Sequence, residues 1–95
     1  MMPKNRRPSH PGEILKELYL DPSGVNQTQL ANHLGCTRAA LNEIINGKRG
    51  ITPAMAFKLA DTFGTTPELW MNLQTKVDLW KARQHHVKVP LLKVS

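Results

Sequence analysis

The segment Gln27–Gly50, "QTQLANHLGCTRAALNEIINGKRG", carries the spacing that decides the fold. Two helices that cross at a steep angle after a short turn need a small residue at the crossing, and the fifth residue is Ala31. The turn needs a residue that tolerates positive φ, and the ninth is Gly35. Leu41 and Ile44, fifteenth and eighteenth, give the second helix its apolar inner face. This order predicts a helix-turn-helix; the alternative is an αα-hairpin with no role on DNA.

The second helix of this segment is predicted to enter the major groove of double-stranded DNA. Arg38 can offer a bidentate fork to guanine, and Asn42 can do the same for adenine. Glu43 can accept from cytosine but also repels phosphates, so its alternatives are to orient Arg38 or to lie in solvent. The predicted base contacts are Thr37, Arg38, Ala39, Asn42 and Glu43.

Phosphate contacts are predicted at both ends of the motif. The free N–H groups and the dipole at a helix start attract an anion. Side chains that follow the second helix can hold the DNA backbone without reading its sequence. The candidates are Gln27, Thr28, Gln29, Asn46, Lys48 and Arg49. For Lys48 and Arg49 the alternative is a solvated loop.

The charge distribution favours a polyanionic partner. Among 95 residues there are 13 Lys and Arg and seven Asp and Glu, which gives a net charge of +6. Residues 38–58, which overlap the recognition segment, hold +3 of that charge, and such clusters are typical of nucleic-acid binding. A solvated basic surface is the alternative.

The segments on either side of Gln27–Gly50 show the same pattern of a capping residue, an apolar face with helical spacing and a residue that ends the helix. The first runs from His10 to Gly24. Its predicted apolar face consists of Ile14, Leu15, Leu18 and Tyr19. Two further helices follow the segment, one ending at Gly64 and one starting after Thr66. We therefore expect an all-α fold of five helices with a short extended C-terminal tail.

The last helix carries an apolar stripe that can serve a homodimer. One helix-turn-helix contacts only a half-site, so specific binding normally needs two copies on a palindromic site. The dimer-interface candidates are Trp70, Leu73, Val77 and Trp80. The alternative is that all four belong to the core.

We divide the chain into a basic N-terminal arm (residues 1–9), a helix-turn-helix domain (10–84) and a C-terminal tail (85–95). In the tail, alternating apolar residues favour extended structure, but Pro90 excludes a central strand position. An edge strand, a disordered end and a segment ordered only by a partner all remain open. The apolar residues that favour extended structure are Val87, Val89 and Leu91, which alternate, and Val94.

Several classes of function are disfavoured by the sequence. The single cysteine, Cys36, and four scattered histidines lack zinc-ligand spacing, so no metal is expected. No nucleophile has an obvious base, so we expect neither an enzyme nor a cofactor. The apolar runs are far below the roughly 20 residues that cross a bilayer. A lone cysteine fits the reducing cytoplasm, where a DNA-bound regulator would associate with the nucleoid.

The segment Gln27–Gly50, followed by "ITPAMAFKLADTFGTTPELWMNLQ", resembles the lambda-repressor-like (Xre-type) helix-turn-helix domain. More narrowly, "HPGEIL" at His10–Leu15 and "TPELWMNLQTKVDLW" at Thr66–Trp80 resemble the HigA antitoxins of bacterial toxin–antitoxin modules. The resemblance covers about residues 8–84. It implies a dimeric antitoxin that binds its own operator, represses its operon and neutralises a HigB-type toxin, a ribosome-dependent mRNA endonuclease.

Two other functions stay open at this point. One is a phage-type or stand-alone helix-turn-helix repressor that has no toxin partner. The other is a protein-interaction module whose helix-turn-helix no longer binds DNA.

Overall fold

The computed structural model describes residues 7–93. Its elements are α1 (Pro11–Ile14), a π-helical stretch (Leu15–Leu20), α2 (Asp21–Ser23), α3 (Gln27–Leu34), α4 (Arg38–Ile45), α5 (Pro53–Phe63) and α6 (Pro67–His85). The first three follow one another without a break, so they form one helical unit. The predicted all-α, five-helix, lambda-repressor-like fold is confirmed. Residues 1–6 of the predicted arm and Val94 of the tail lie outside the described residues.

The helix starts are fixed by side-chain caps. Each capping side chain accepts a hydrogen bond from the backbone N–H three residues on, at 2.8–3.2 Å. At α3 the cap is a capping box, because Gln29 also accepts from the backbone of Asn26 at 3.0 Å. The caps of α3, α4, α5 and α6 are Asn26, Thr37, Thr52 and Thr66. Local sequence therefore determines where these four helices begin.

The π-helical stretch changes the predicted face of the first helical unit. Leu18 was expected to point inward, yet it is 62% exposed, and Leu20 is buried instead. Leu15 and Leu20 lie on the same side because the π register, with bonds from residue i to i+5, aligns residues five apart. The stretch precedes Pro22, whose ring would clash with the carbonyl of Leu18 in a continuous α-helix.

Trp70 on α6 lies at the centre of the core with no exposed surface. Its ring centroid is 5.3 Å from that of Tyr19, which in turn is 5.3 Å from Phe63. Its indole N–H donates to the hydroxyl of Thr65 at 2.8 Å, so the one polar atom of the ring is satisfied. The tryptophan therefore joins α6 to the first helical unit, and Tyr19 extends the aromatic contact to α5.

The stripe predicted as a dimer interface lies partly inside this core. Trp70 is 0% and Val77 2% exposed, so neither can offer surface to a second copy, and for these two residues the interface prediction is wrong. Both face the domain interior because the long α6 packs against α1 and α5. Leu73 and Trp80 are half-buried and remain candidates.

The first helical unit meets α4 at a very close approach. Gly12 is buried, and a Cβ built on it would overlap the carbonyl oxygen of Ile44 and lie 2.9 Å from Cα of Ile45. Only hydrogen fits in that space. The backbones of α1 and the C-terminal end of α4 are therefore in direct contact.

Within residues 7–93, no helix is both long and apolar enough to cross a membrane.

We predict that Gly12→Ala destabilises the domain by about 3 kcal/mol, because overpacking against a backbone carbonyl cannot be relieved by a rotamer change. The melting temperature should fall by about 12 °C or more, measured by circular dichroism. Asn32→Ala, at an exposed position of α3, is the control. Equal melting temperatures for the two variants would show that α1 and α4 can move apart freely.

Candidate nucleic-acid interface

The recognition helix α4 divides cleanly into an inner and an outer face. Leu41, Ile44 and Ile45 are buried and hold the helix to the core. The residues predicted to contact bases are on the other side: Thr37, Arg38, Ala39 and Asn42 are exposed, and Glu43 is half-buried. The structure therefore brings the predicted base contacts together on one surface, beside Asn46.

A chain of side-chain amides crosses the two helices of the motif. Asn46 donates to Asn42 at 3.0 Å, and Asn42 donates to Gln27 of α3 at 3.2 Å. These bonds use one hydrogen and one lone pair of the Asn42 amide, which leaves one of each. The amide can thus still offer a donor and an acceptor to adenine while its neighbours hold its orientation.

Glu43 forms an ion pair with Arg49, at 3.3 Å, rather than with Arg38. The predicted alternative that Glu43 orients Arg38 is therefore not what the structure contains. Both side chains are about half exposed, so the pair is worth only about 0–1 kcal/mol. The pair holds the guanidinium of Arg49 beside the end of α4, and breaking it costs little.

Two predicted contact residues also serve as helix caps. Thr37 accepts from the N–H of Ala40 at 3.0 Å, which leaves its hydroxyl hydrogen to donate. Gln29 accepts from the N–H of Asn26, which leaves its NH₂ group as the donor for a phosphate. Thr28, Lys48 and Arg49 are exposed, as phosphate contacts require.

His10 and Gly12 lie behind α4, and their structural roles were not predicted from the sequence. His10 is 5% exposed and caps α1, with its Nδ1 accepting from the N–H of Gly12 at 2.9 Å. Its imidazole also faces Gly47, which ends the turn after α4 with φ of 75°. The sequence signal for Gly12 was its position inside a helix. Glycine costs about 1 kcal/mol relative to alanine there, so its presence indicates a close packing contact.

Gln74 is the other missed residue. It is buried on the apolar face of α6. Its side chain accepts from the N–H of Ile51 at 2.7 Å and donates to Asp78 at 2.9 Å. The loop that follows the recognition helix is thereby tied to α6. The sequence signal for Gln74 was a polar residue within the apolar stripe of α6. A buried amide normally forms hydrogen bonds to backbone groups, so this position predicted such a contact.

Burial lowers the pKa of His10 below its usual 6.5, and the positive charge of Lys81 acts in the same direction. Arg7 also lowers this pKa, while Glu13 and Asp78 raise it. The neutral imidazole is the form that can accept from the N–H of Gly12. Protonation of Nδ1 would remove that acceptor.

No group of three or more His, Cys, Asp or Glu residues converges as a metal site in the part of the chain that the structure describes.

A protein-family model described as "Helix-turn-helix" matches residues 15–70. An uncharacterized HTH-type transcriptional regulator of Haemophilus influenzae is 47% identical over 75 residues, which cover 79% of this chain and 70% of that protein. Antitoxin HigA-1 of Vibrio cholerae is 41% identical over 86 residues, 90% of this chain and 81% of that protein.

The solved structures to which this chain is similar include one that was determined with DNA. The Pseudomonas aeruginosa antitoxin HigA, solved with the higBA promoter, is similar with a TM-score of 0.79 and 36% identity. The match covers 90% of this chain and 100% of that chain. The likeness thus extends over both the helix-turn-helix and the α6 region.

We predict that Arg38→Ala and Arg49→Ala weaken DNA binding in different ways. Arg38→Ala should cost about 1–3 kcal/mol on the preferred duplex and little on a random one, because it removes a base contact. Arg49→Ala should weaken both duplexes similarly and reduce the salt slope by about one. Lys76→Ala, on α6, is the charge-matched control in fluorescence-anisotropy titrations. Identical effects of Arg38→Ala and Arg49→Ala on both duplexes would refute this division.

We predict that His10 makes stability depend on pH. Because folding lowers its pKa, its contribution is fully present above 6.5 and is lost as pH falls through the folded-state pKa. The free energy of unfolding should fall between pH 7.5 and 5, and His10→Asn, which keeps a capping oxygen but does not titrate, should flatten that dependence. His33→Asn, at an exposed site, is the control for urea titrations. An unchanged slope in His10→Asn would contradict the role given to His10.

Proposed function

The chain belongs to the helix-turn-helix family and, within it, to the HigA-type antitoxins, and from that premise we propose that it neutralises a HigB-type, mRNA-cleaving toxin and represses its own operon. It is a DNA-binding antitoxin and transcriptional regulator, a class without enzymatic activity. We propose that it acts in the cytoplasm, on nucleoid DNA that carries its operator.

The operator half of the proposal is carried by the exposed face of α4. Arg38 and Asn42 present guanine- and adenine-reading chemistry on a helix whose inner face is buried. The solved HigA relative of Pseudomonas aeruginosa, similar over its whole length, has a promoter as its partner. We infer that α4 of this chain occupies the major groove of its operator.

Phosphate binding is proposed for the two ends of the motif. Gln27, Thr28 and Gln29 lie in the first turn of α3, where the helix dipole favours an anion. Arg49, together with Lys48, follows α4. On DNA, the guanidinium of Arg49 exchanges the carboxylate of Glu43 for a phosphate oxygen, and the freed carboxylate is left near the base edges, where it can accept from cytosine.

A homodimer on a palindromic operator completes this half of the proposal, since a single motif contacts only a half-site. Leu73 and Trp80 on α6 are the candidates that keep some exposed surface. Sedimentation equilibrium of the purified chain tests the dimer. A monomer at all micromolar concentrations would contradict it.

The toxin half of the proposal rests on kinship with Antitoxin HigA-1 of Vibrio cholerae, with which the chain shares most of its length. A helix-turn-helix repressor without a toxin partner is the second candidate. It is favoured by the Haemophilus influenzae relative, whose name identifies it only as a transcriptional regulator.

Co-expression in bacteria separates the two candidates. The toxin from the same operon is induced with and without the chain, and growth is recorded beside a reporter driven by the chain's own promoter. We expect the chain to restore growth and to silence the reporter. An Arg38→Ala/Asn42→Ala double variant should lose reporter repression and keep growth rescue.

The other outcomes of the co-expression experiment identify the alternative functions. Repression without growth rescue would identify a stand-alone repressor and refute the toxin half. Growth rescue with no repression, in both the unchanged chain and the double variant, would refute the operator half and identify a protein-interaction module.

A further inference from the structure

We propose that the polar cleft between the first helical unit, the loop after α4 and α6 binds a phosphate group, which accepts hydrogen bonds from Nε2–H of His10 and from the ammonium of Lys81. The phosphate belongs either to the operator backbone or to a small phosphorylated molecule. The inference goes beyond the proposed function, because it gives a binding role to His10 and to a residue of α6, neither of which was assigned a contact with DNA.

The cleft consists of two adjoining cavities, of about 300 and about 420 Å³. His10, Gly47 and Lys81 line both cavities. The smaller cavity extends to Arg7 and the larger one to Lys48. Because a water molecule takes about 30 Å³ in the liquid, each cavity has room for a phosphate group.

His10 presents a hydrogen-bond donor to this cleft. Its side chain is buried, and Nδ1 accepts from the N–H of Gly12, so the neutral ring carries its proton on Nε2. Among residues 7–93 that N–H has no acceptor. Nε2 is bonded to Cδ2, the ring carbon that faces Gly47. The atom is open to the cleft, since within the described part of the chain no fully buried side-chain nitrogen lacks a partner.

Lys81 adds a positive charge from the α6 side of the cleft. Its ammonium forms no ion pair with any carboxylate in residues 7–93. It lies close enough to the imidazole to lower the pKa of His10, after the larger effect of burial. A donor and a cation on two walls of one cleft suit an anionic acceptor, because charge-assisted hydrogen bonds are roughly twice as strong as neutral ones.

The carboxylates beside the cleft already have partners. Glu13 accepts from Arg7 at 3.0 Å, and Asp78 accepts from Gln74 at 2.9 Å. Four cationic side chains line the two cavities, and they are Arg7, Lys48, Arg49 and Lys81. The charge of the lining is therefore positive on balance, which favours an anion over a cation or a neutral ligand.

The position of the cleft favours phosphate among the anions. Lys48 and Arg49, which are proposed to contact the DNA backbone, line its larger cavity. The donors come from three different elements of the fold. A phosphate group presents its acceptor oxygens in a tetrahedral arrangement, so it can contact several of these elements at once, whereas a carboxylate presents two oxygens in one plane.

Titration of the full chain with inorganic phosphate tests the cleft directly. The side-chain resonances of His10 are followed by NMR at about pH 7.5, where the imidazole is neutral, and potassium chloride of equal ionic strength is the reference. We expect a saturable change at Nε2–H with half-saturation at about 1–10 mM phosphate, and no such change with chloride.

Two lysines of α6 provide a matched pair of variants. Lys81→Gln should weaken phosphate binding by about tenfold or more, because it removes the cation from the cleft. Lys76→Gln, at an exposed position outside both cavities, should leave phosphate binding unchanged. Both side chains are exposed, so both variants should keep the circular dichroism spectrum of the unchanged chain.

DNA titrations identify the source of the phosphate. Binding to the upstream and scrambled duplexes is measured by fluorescence anisotropy for the same two variants. If the DNA backbone supplies the phosphate, Lys81→Gln should weaken both duplexes similarly and reduce the salt slope by about one, relative to Lys76→Gln. If a small molecule supplies it, Lys81→Gln should bind both duplexes like Lys76→Gln and still lose inorganic phosphate.

The remaining outcomes overturn the inference. They are a His10 resonance that follows ionic strength alone, one that responds equally in Lys81→Gln, and one that responds to neither phosphate nor DNA. Each would mean that the cleft is a solvated polar surface. A failure of the proposed function is recognised separately, because an unchanged chain without preference for the upstream duplex would refute the operator half while the phosphate titration still decides the cleft.

Discussion

The position of the recognition helix depends on the contact between the backbone at Gly12 and the carbonyl end of α4. No atom larger than hydrogen fits between Gly12 and Ile44, so backbone surfaces, and not adaptable side chains, fix the distance between the two helices. His10 secures the same corner, because it caps α1 and faces the turn at Gly47. The outer face of α4 is consequently presented by a rigid base.

A rigid base matters because base recognition requires side chains held near their binding geometry. The start of α4 is held by the cap at Thr37, and the loop after it is tied to α6 by Gln74. On the surface, Asn42 is oriented by bonds on both sides. Arg49 is different, since its exposed ion pair with Glu43 can exchange for a phosphate. In the proposed interface, a fixed reading element is therefore combined with an adjustable phosphate contact.

The sequence predicted the features that depend on neighbours along the chain and missed those that depend on packing. Caps such as Thr37 and stops such as Gly35 act within one turn, so the helices and the recognition face could be located. Leu18 was misplaced because a π-helical register is set by interactions beyond the local pattern. The assignment of Trp70 to an interface was wrong because periodicity identifies an apolar face but not what covers it. Only the folded arrangement reveals why Gly12 and Gln74 are required.

The central claim is that the outer face of α4 reads a DNA sequence. The most direct measurement compares binding of the purified chain to its own upstream DNA and to a scrambled duplex of equal composition, at about 50 and about 200 mM salt. The account predicts that both affinities fall with salt and that the preference for the upstream DNA survives at the higher concentration, because base contacts do not depend on counterion release. Equal binding to both duplexes, vanishing together as salt rises, would mean that the net charge of +6 explains all DNA binding and would contradict the account.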